Sequence, residues 1–188
     1  MNIEDHEILS SEPVYEGKVV SLYRDRVKLP DGRVATWERI VHQGAVGMVP
    51  LQDDHSVLLV RQYRNAVRHV LLEIPAGKLE PGEAPEDCAN RELVEEVGMR
   101  AGELVKLSEF YNSPGYSDEY FHLYLATDLV VEEGQTEADE FLEVVKVTLD
   151  EAIGMIGDGR ITDAKSVMGV ALTKLYLDGA IQAFGESC

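Results

Sequence analysis

Three glutamates, Glu92, Glu95 and Glu96, fall at helical spacing inside the segment Gly77 to Met99. The segment predicts a helix over 85–97. Pro85 suits a first helical position, and Glu86 and Asp87 suit the first turn, where the helix dipole favours negative charge. Gly98 suits the stop. Residues three and four apart share a helix face, so the three glutamates lie within one arc. Ala89, Leu93 and Val97 fall on an adjoining arc that can pack against a sheet. Crowded carboxylates repel one another unless a positive charge sits among them. Hard divalent cations, which take oxygen ligands, are the natural partner. Arg91 can also reach across one turn to Glu95. Taken alone, three glutamates equally fit the solvated face of a surface helix, so what surrounds them matters. Gly77 and Gly82 precede the helix, and glycine lets a backbone turn sharply or approach a ligand closely.

The rest of the chain supplies mostly short strands. Residues 19–23 and 26–29 are predicted strands, and Pro30-Asp31-Gly32 is a turn signal before a returning strand over 34–41. Further strands are predicted over 44–51 and 57–63, with residues 52–55 as the turn between them. Strands at 70–74, 104–111, 120–126 and 142–147 follow. Residues 130–140 are acidic, contain Gly134, and read as a loop. Helices are predicted over 149–156 and 166–183. Strands mixed with helices imply an α/β class, with a mixed sheet and helices on its faces.

Length and charge narrow the function. A chain of 188 residues with 45% hydrophobic residues can bury a core without disulfides or a structural metal. Its net charge of -18 argues against nucleic-acid binding, which needs a basic footprint, and against docking on anionic lipid. Most of that charge reads as solvated surface. The two cysteines, Cys88 and Cys188, make no disulfide framework or zinc pattern. Residues 1–13 show no signal-peptide pattern, and no apolar run approaches membrane-spanning length. The cytoplasm is the expected compartment.

The full spacing is more specific than the glutamates alone. Glycine, five residues, glutamate, seven residues, then Arg-Glu-apolar-x-Glu-Glu-x-Gly-apolar is filled at all nine defined positions, from Gly77 and Glu83 to Gly98 and Met99. This pattern resembles the Nudix box. The resemblance implies an α/β/α sandwich with a mixed sheet, preceded by an N-terminal antiparallel β subdomain. It divides the chain into a segment over 1–43, for dimerisation and substrate, and a hydrolase domain over 44–188. It implies a magnesium site, manganese being possible, held by Glu92, Glu95, Glu96 and the backbone carbonyl of Ala76. Glu73 resembles an additional metal-binding carboxylate. Arg91 takes a catalytic role beside these.

Residues outside the box narrow the substrate. Tyr111-Asn-Ser-Pro-Gly-Tyr-Ser-Asp-Glu119 resembles a segment of the ADP-ribose pyrophosphatase branch, as do Val60 to Arg64, Leu72 to Gly77, Trp37 to Gly44 and Ile161 to Ser166. The likeness covers roughly residues 14 to 175. It implies hydrolysis of ADP-ribose to AMP and ribose 5-phosphate. Pro114 would shape a tight loop, Tyr116 a pocket wall, and Glu119 would accept hydrogen bonds from ribose hydroxyls. Arg64 is the candidate phosphate contact, since a guanidinium fork pairs with phosphate oxygens. Arg39 and Trp37 lie in a region that in relatives is exchanged within a two-fold dimer and supplies part of the adenine site, so a homodimer is expected. The general base is expected at Glu140, with Glu137, or Glu95 or Glu96 of the box, as alternatives. Here the chain departs from its relatives, because Ala138 stands where they carry a carboxylate. Another nucleoside diphosphate sugar such as GDP-mannose, or a non-catalytic role as an ADP-ribose sensor, are the competing readings. The intact box and the absence of a basic recognition module weigh against the sensor, and the Pro114 loop weighs against a dinucleoside polyphosphate or nucleoside triphosphate substrate.

Overall fold

The computed structural model describes residues 2–132 and 141–185. Its contacts divide into two compact units, one of residues 1–44 with 111–120, the other of 45–110 with 121–188. Residues 111–120, assigned by the sequence to the second domain, thus cluster with the first.

The first unit is a three-stranded antiparallel sheet in the order β1 (Glu7–Glu16), β2 (Ser21–Lys28) and β3 (Val34–Val41). Two expectations change here. The predicted strands at 19–23 and 26–29 are one strand, β2, which pairs without interruption with β3. β1 was not foreseen, because its acidic, serine-rich sequence with Pro13 lacks strand character. Its register with β2 shifts on both sides of the proline's neighbourhood, between Ile8 and Ser10 and between Pro13 and Tyr15. The Pro30-Asp31-Gly32 turn forms as read, with Gly32 at a φ of 87°.

In the second unit, β4 (Ala45–Pro50) runs parallel to β10 (Tyr120–Thr127) and antiparallel to β7 (Ala76–Lys78), and β9 (Glu103–Tyr111) flanks β10. The sheet is therefore mixed, as expected. β4 and the middle of β10 are buried on both faces, which explains their nearly unbroken apolar runs. Val46, Met48, Tyr124 and Ala126 pack with Cys88, Ala89 and Leu93 of helix α1 (Pro85–Val97). The alternate residues Ala45, Val49, Phe121, Leu123 and Leu125 pack with Leu149 and Ala152 of α2 (Leu149–Gly157) and Val170 of α3 (Ala164–Leu177). Helices thus cover both faces of one sheet, the sandwich that the sequence implied. Each fully buried Leu or Val contributes about 1.5–3 kcal/mol.

A second antiparallel sheet joins β12 (Leu142–Thr148), β5 (Ser56–Arg64) and β6 (His69–Glu73). The short strands β8 (Met99–Arg100) and β11 (Val130–Val131) pair beyond the box helix. α1 matches its predicted bounds, and Gly98 caps it in the left-handed conformation that favours glycine. α3 begins two residues before the predicted start because Asp163, as N-cap, accepts from the Ser166 amide. Among the described residues no helix is long and apolar enough to cross a membrane.

Candidate active site

The box helix lies against β7, and the contact places its carboxylates. Glu92 and Glu96 are one turn apart on the face turned to this strand. The Glu92 carboxyl occupies the space over Gly77, where an added Cβ would meet it at 1.8 Å. Any other residue at 77 would displace it, which is the physical reason for glycine at the head of the motif. Glu96, only 6% exposed, accepts a hydrogen bond from the Ala76 amide at 3.0 Å. Glu95 faces Arg91, whose Nη1 donates to Glu95 at 3.1 Å and to Glu92 at 2.7 Å.

Arg91 also ties the preceding loop to the helix. Its Nε and Nη2 donate to the two oxygens of Glu83 at 2.9 and 3.0 Å, and Nη2 reaches the Lys78 carbonyl at 3.2 Å. That fork holds the Glu83 carboxyl down at about 2. Burial pushes the Cys88 thiol up to about 12, so it is packing rather than a reactive group.

Three carboxylates therefore surround one guanidinium, with Glu96 as a fourth on the same helix, and the cluster keeps a net negative charge. Hard oxygen donors in such excess, with one carboxyl cradled where a side chain is missing, fit a divalent cation. Among the described residues no three acidic, His or Cys side chains already converge on one point. The Arg91 bonds draw Glu92 and Glu95 toward the guanidinium instead.

A second charged network stands on β5, β6 and α3. Glu73 is 1% exposed, and its two oxygens accept from Arg64 Nε at 2.9 Å and Nη2 at 2.7 Å. Lys165 Nζ also donates to Glu73, and to Asp163 at 2.7 Å. Burial pushes the Glu73 carboxyl up, but Arg64 and Lys165 together hold it below the usual range. Glu73, expected beside the metal-binding carboxylates, thus has two cations as partners. Arg64 lies within electrostatic reach of Glu96, which connects this network to the box.

The first unit has its own site. Trp37, Arg39, Pro114 and Tyr116 line one cavity of about 370 Å³, together with Asp25, Tyr111 and Asp118. Glu119 is not in its wall. Arg39 Nε donates to Asp25 at 2.9 Å, its Nη1 donates to Asp118 at 3.3 Å, and its guanidinium lies over the Tyr23 ring. Asp25 is 5% exposed and also accepts from Ser11 at 2.6 Å. The Ser11 and Arg39 hydrogen bonds hold its carboxyl below its ordinary value. The expected bases Glu137 and Glu140 lie outside the described residues.

Sequence reasoning missed Asp25, Asp118, Asp163 and Lys165. The alternation Tyr23, Asp25, Val27 along β2 was a usable signal for Asp25, because an acidic residue on an inward face needs a partner. Asp163 was visible as an N-cap three residues before Ser166.

Comparison with known proteins shows the family. The NUDIX domain model matches residues 41–168, and the nucleoside diphosphate sugar hydrolase N-terminal domain model matches residues 7–40. The chain is 40% identical over 181 residues to an ADP-ribose pyrophosphatase of Bacillus subtilis, covering 95% of this chain and 97% of that protein. It is 37% identical over 142 residues to a GDP-mannose pyrophosphatase of Yersinia enterocolitica, covering 71% and 74%. A crystal structure of an ADP compounds hydrolase superposes with a TM-score of 0.86 at 26% identity, covering 96% of this chain and 98% of that one. A family model over residues 41–168 and a relative 40% identical along nearly the whole chain agree, and the chain belongs to the Nudix family of hydrolases.

Proposed function

We propose that the chain hydrolyses the diphosphate bond of ADP-ribose, with water, to AMP and ribose 5-phosphate, using magnesium, for which manganese can substitute. The observation that carries this reading is the gathering of Glu92 and Glu96 against β7, with Glu95 held beside them by Arg91, in a chain similar along nearly its whole length to an ADP-ribose pyrophosphatase. Those three glutamates and the Ala76 carbonyl would hold the metal. When bound, a divalent ion polarises phosphoryl oxygens, acidifies the attacking water and offsets charge on the leaving group.

The chain's own residues do the rest. Arg91 restrains the carboxylates and the loop. Arg64 contacts a phosphate, and Glu73 serves to aim it rather than to bind metal. Glu140 is the proposed base, with Glu137 or Glu95 as stand-ins. Trp37, Arg39, Pro114 and Tyr116 form the recognition cavity of the first unit, whose volume suits an aromatic base. Glu119 is assigned to the ribose hydroxyls. The exposed apolar side chains Ile8, Val14, Tyr15 and Trp37 of the first unit support a homodimer. The net charge of -18 supports a small-molecule substrate over nucleic acid or membrane, and the scarcity of cysteine supports the cytoplasm.

The similarity to a GDP-mannose pyrophosphatase favours one second reading, another nucleoside diphosphate sugar. Product formation with magnesium across ADP-ribose, GDP-mannose, ADP-glucose and diadenosine polyphosphates decides, with Glu96→Gln as the blank. AMP and ribose 5-phosphate from ADP-ribose, absent in the blank, are the expected result. Preference for another sugar overturns the substrate. Tight binding of ADP-ribose without turnover of any compound would establish a sensor instead.

A further inference from the structure

Lys165 is a nearly buried lysine that stands beside the Arg64–Glu73 ion pair. It sits in the first turn of α3, and its side chain is only 12% exposed. Burying an ammonium is costly unless it is paired and hydrogen-bonded. Its two partners, Glu73 and Asp163, meet that requirement. The same Asp163 oxygen accepts from the Ser166 amide at 3.1 Å and hydroxyl at 2.7 Å, and that hydroxyl accepts from the Ile74 amide at 2.8 Å. The bonds close a ring through Glu73, Lys165, Asp163, Ser166 and Ile74. Both the backbone beside Glu73 and its carboxylate are thereby fastened to one helix end.

The ring points outward at one place. Glu73, Lys165 and Asp163 are 1%, 12% and 21% exposed in their side chains, whereas Arg64 is 39% exposed. Arg64 donates to Glu73 through Nε and Nη2, and among the described residues Nη1 makes no such bond. Two acids and two bases leave the network with no net charge. Its buried part therefore adds little field of its own, and its effect is to hold one guanidinium edge in place. A forked ion pair fixes that edge only if the carboxylate itself cannot turn.

We propose that Lys165 is a positioning residue for diphosphate binding, acting through Glu73 to hold Arg64 in its binding orientation. This rests on the reading that Arg64 contacts a phosphate. Lys165 itself touches no substrate. A misplacement of about 1 Å at a positioning group can cost up to ~100-fold, and a loosened mount costs less than loss of the group.

The test is a double-mutant cycle with two readouts. Wild type, Arg64→Lys, Lys165→Met and the double variant are compared for KM and kcat with ADP-ribose. The same proteins are titrated with magnesium pyrophosphate in a calorimeter, which reads diphosphate affinity whatever the natural substrate is. Lys165→Met is expected to raise KM and the pyrophosphate Kd about 10-fold and to change kcat less than about 3-fold. The double variant should be no worse than Arg64→Lys alone, and Lys165→Arg should recover most of the affinity. If Lys165→Met does not fold, Lys165→Gln, which keeps a donor without the charge, takes its place. Unchanged affinity in the Lys165 variants, with Arg64→Lys impaired, overturns the inference and leaves the Arg64 contact standing. Effects that multiply in the double variant also overturn it. Unchanged affinity in Arg64→Lys, or no pyrophosphate binding by wild type, removes the Arg64 contact and the inference with it.

Discussion

Two arginines organise carboxylates in the second unit, and they differ in where their partners come from. Arg91 bonds to Glu83, Glu92, Glu95 and the Lys78 carbonyl, all within the box and its loop. Arg64 bonds to Glu73, which in turn needs Lys165, 92 positions further on. The first network is built by local spacing, a loop and one helix turn. The second exists only because the sheet and α3 bring distant segments together. The first also gathers surplus negative charge, whereas the second is balanced. Surplus charge is suited to holding a cation; a balanced network is suited to holding a side chain still.

The largest effect that separates the two is on turnover. Glu96→Gln keeps the shape of a buried side chain but removes one charge from the cluster. We expect a fall in kcat on the order of 10³-fold or more with the fold intact, measured as AMP release. A loss below about tenfold would mean that the box cluster is not where the metal is held. Gly77→Ala comes next. The new Cβ would fall on the Glu92 carboxyl, so that side chain must move. We expect turnover to drop about 10- to 100-fold, with weaker magnesium dependence as the companion reading. Unchanged kinetics would show that the Glu92 position over Gly77 is not needed.

The contrast also explains what the sequence revealed. α1 was legible to the residue because Pro85, the acidic first turn and Gly98 each carry their own local reason. The double burial of β4 was visible as an unbroken apolar run. β1 was not legible, since its strand is specified by pairing with β2 and not by its own composition. The Glu73 and Lys165 pairing was invisible for the same reason as β1: neither residue has a local signature, and only the tertiary fold makes them neighbours. Asp25 shows an intermediate case, readable as an inward-facing acid but not as the partner of Arg39.

That first-unit network provides a smaller, structural test. Arg39→Ala leaves the buried Asp25 carboxylate with the Ser11 hydroxyl alone. A buried charged group deprived of a partner costs about 1–3 kcal/mol. The variant should melt several degrees lower, and Asp25→Asn added to it should recover part of the loss. Lack of any recovery would mean that the stranded charge is not what destabilises it.

The smallest effect concerns pH, and it returns to the Arg91 network. The Glu83 carboxyl is held at about 2 against an ordinary 4.5. A carboxyl whose folded value is depressed adds stability that is fully present above the unfolded value. That contribution is lost as pH falls from about 4.5 through about 2. Glu83→Gln should therefore melt lower than wild type by a constant margin from pH 7 to about 5, about 1 kcal/mol, or ~2–4 °C. The margin should shrink toward zero as pH approaches 2, because wild type then loses the same charge. A margin that stays constant at every pH would assign the loss to packing, and Arg91 would then be held by Glu92, Glu95 and the Lys78 carbonyl. A shrinking margin ties the loop before the helix to the carboxylates through one guanidinium, the arrangement that sets this local network apart from the one around Arg64.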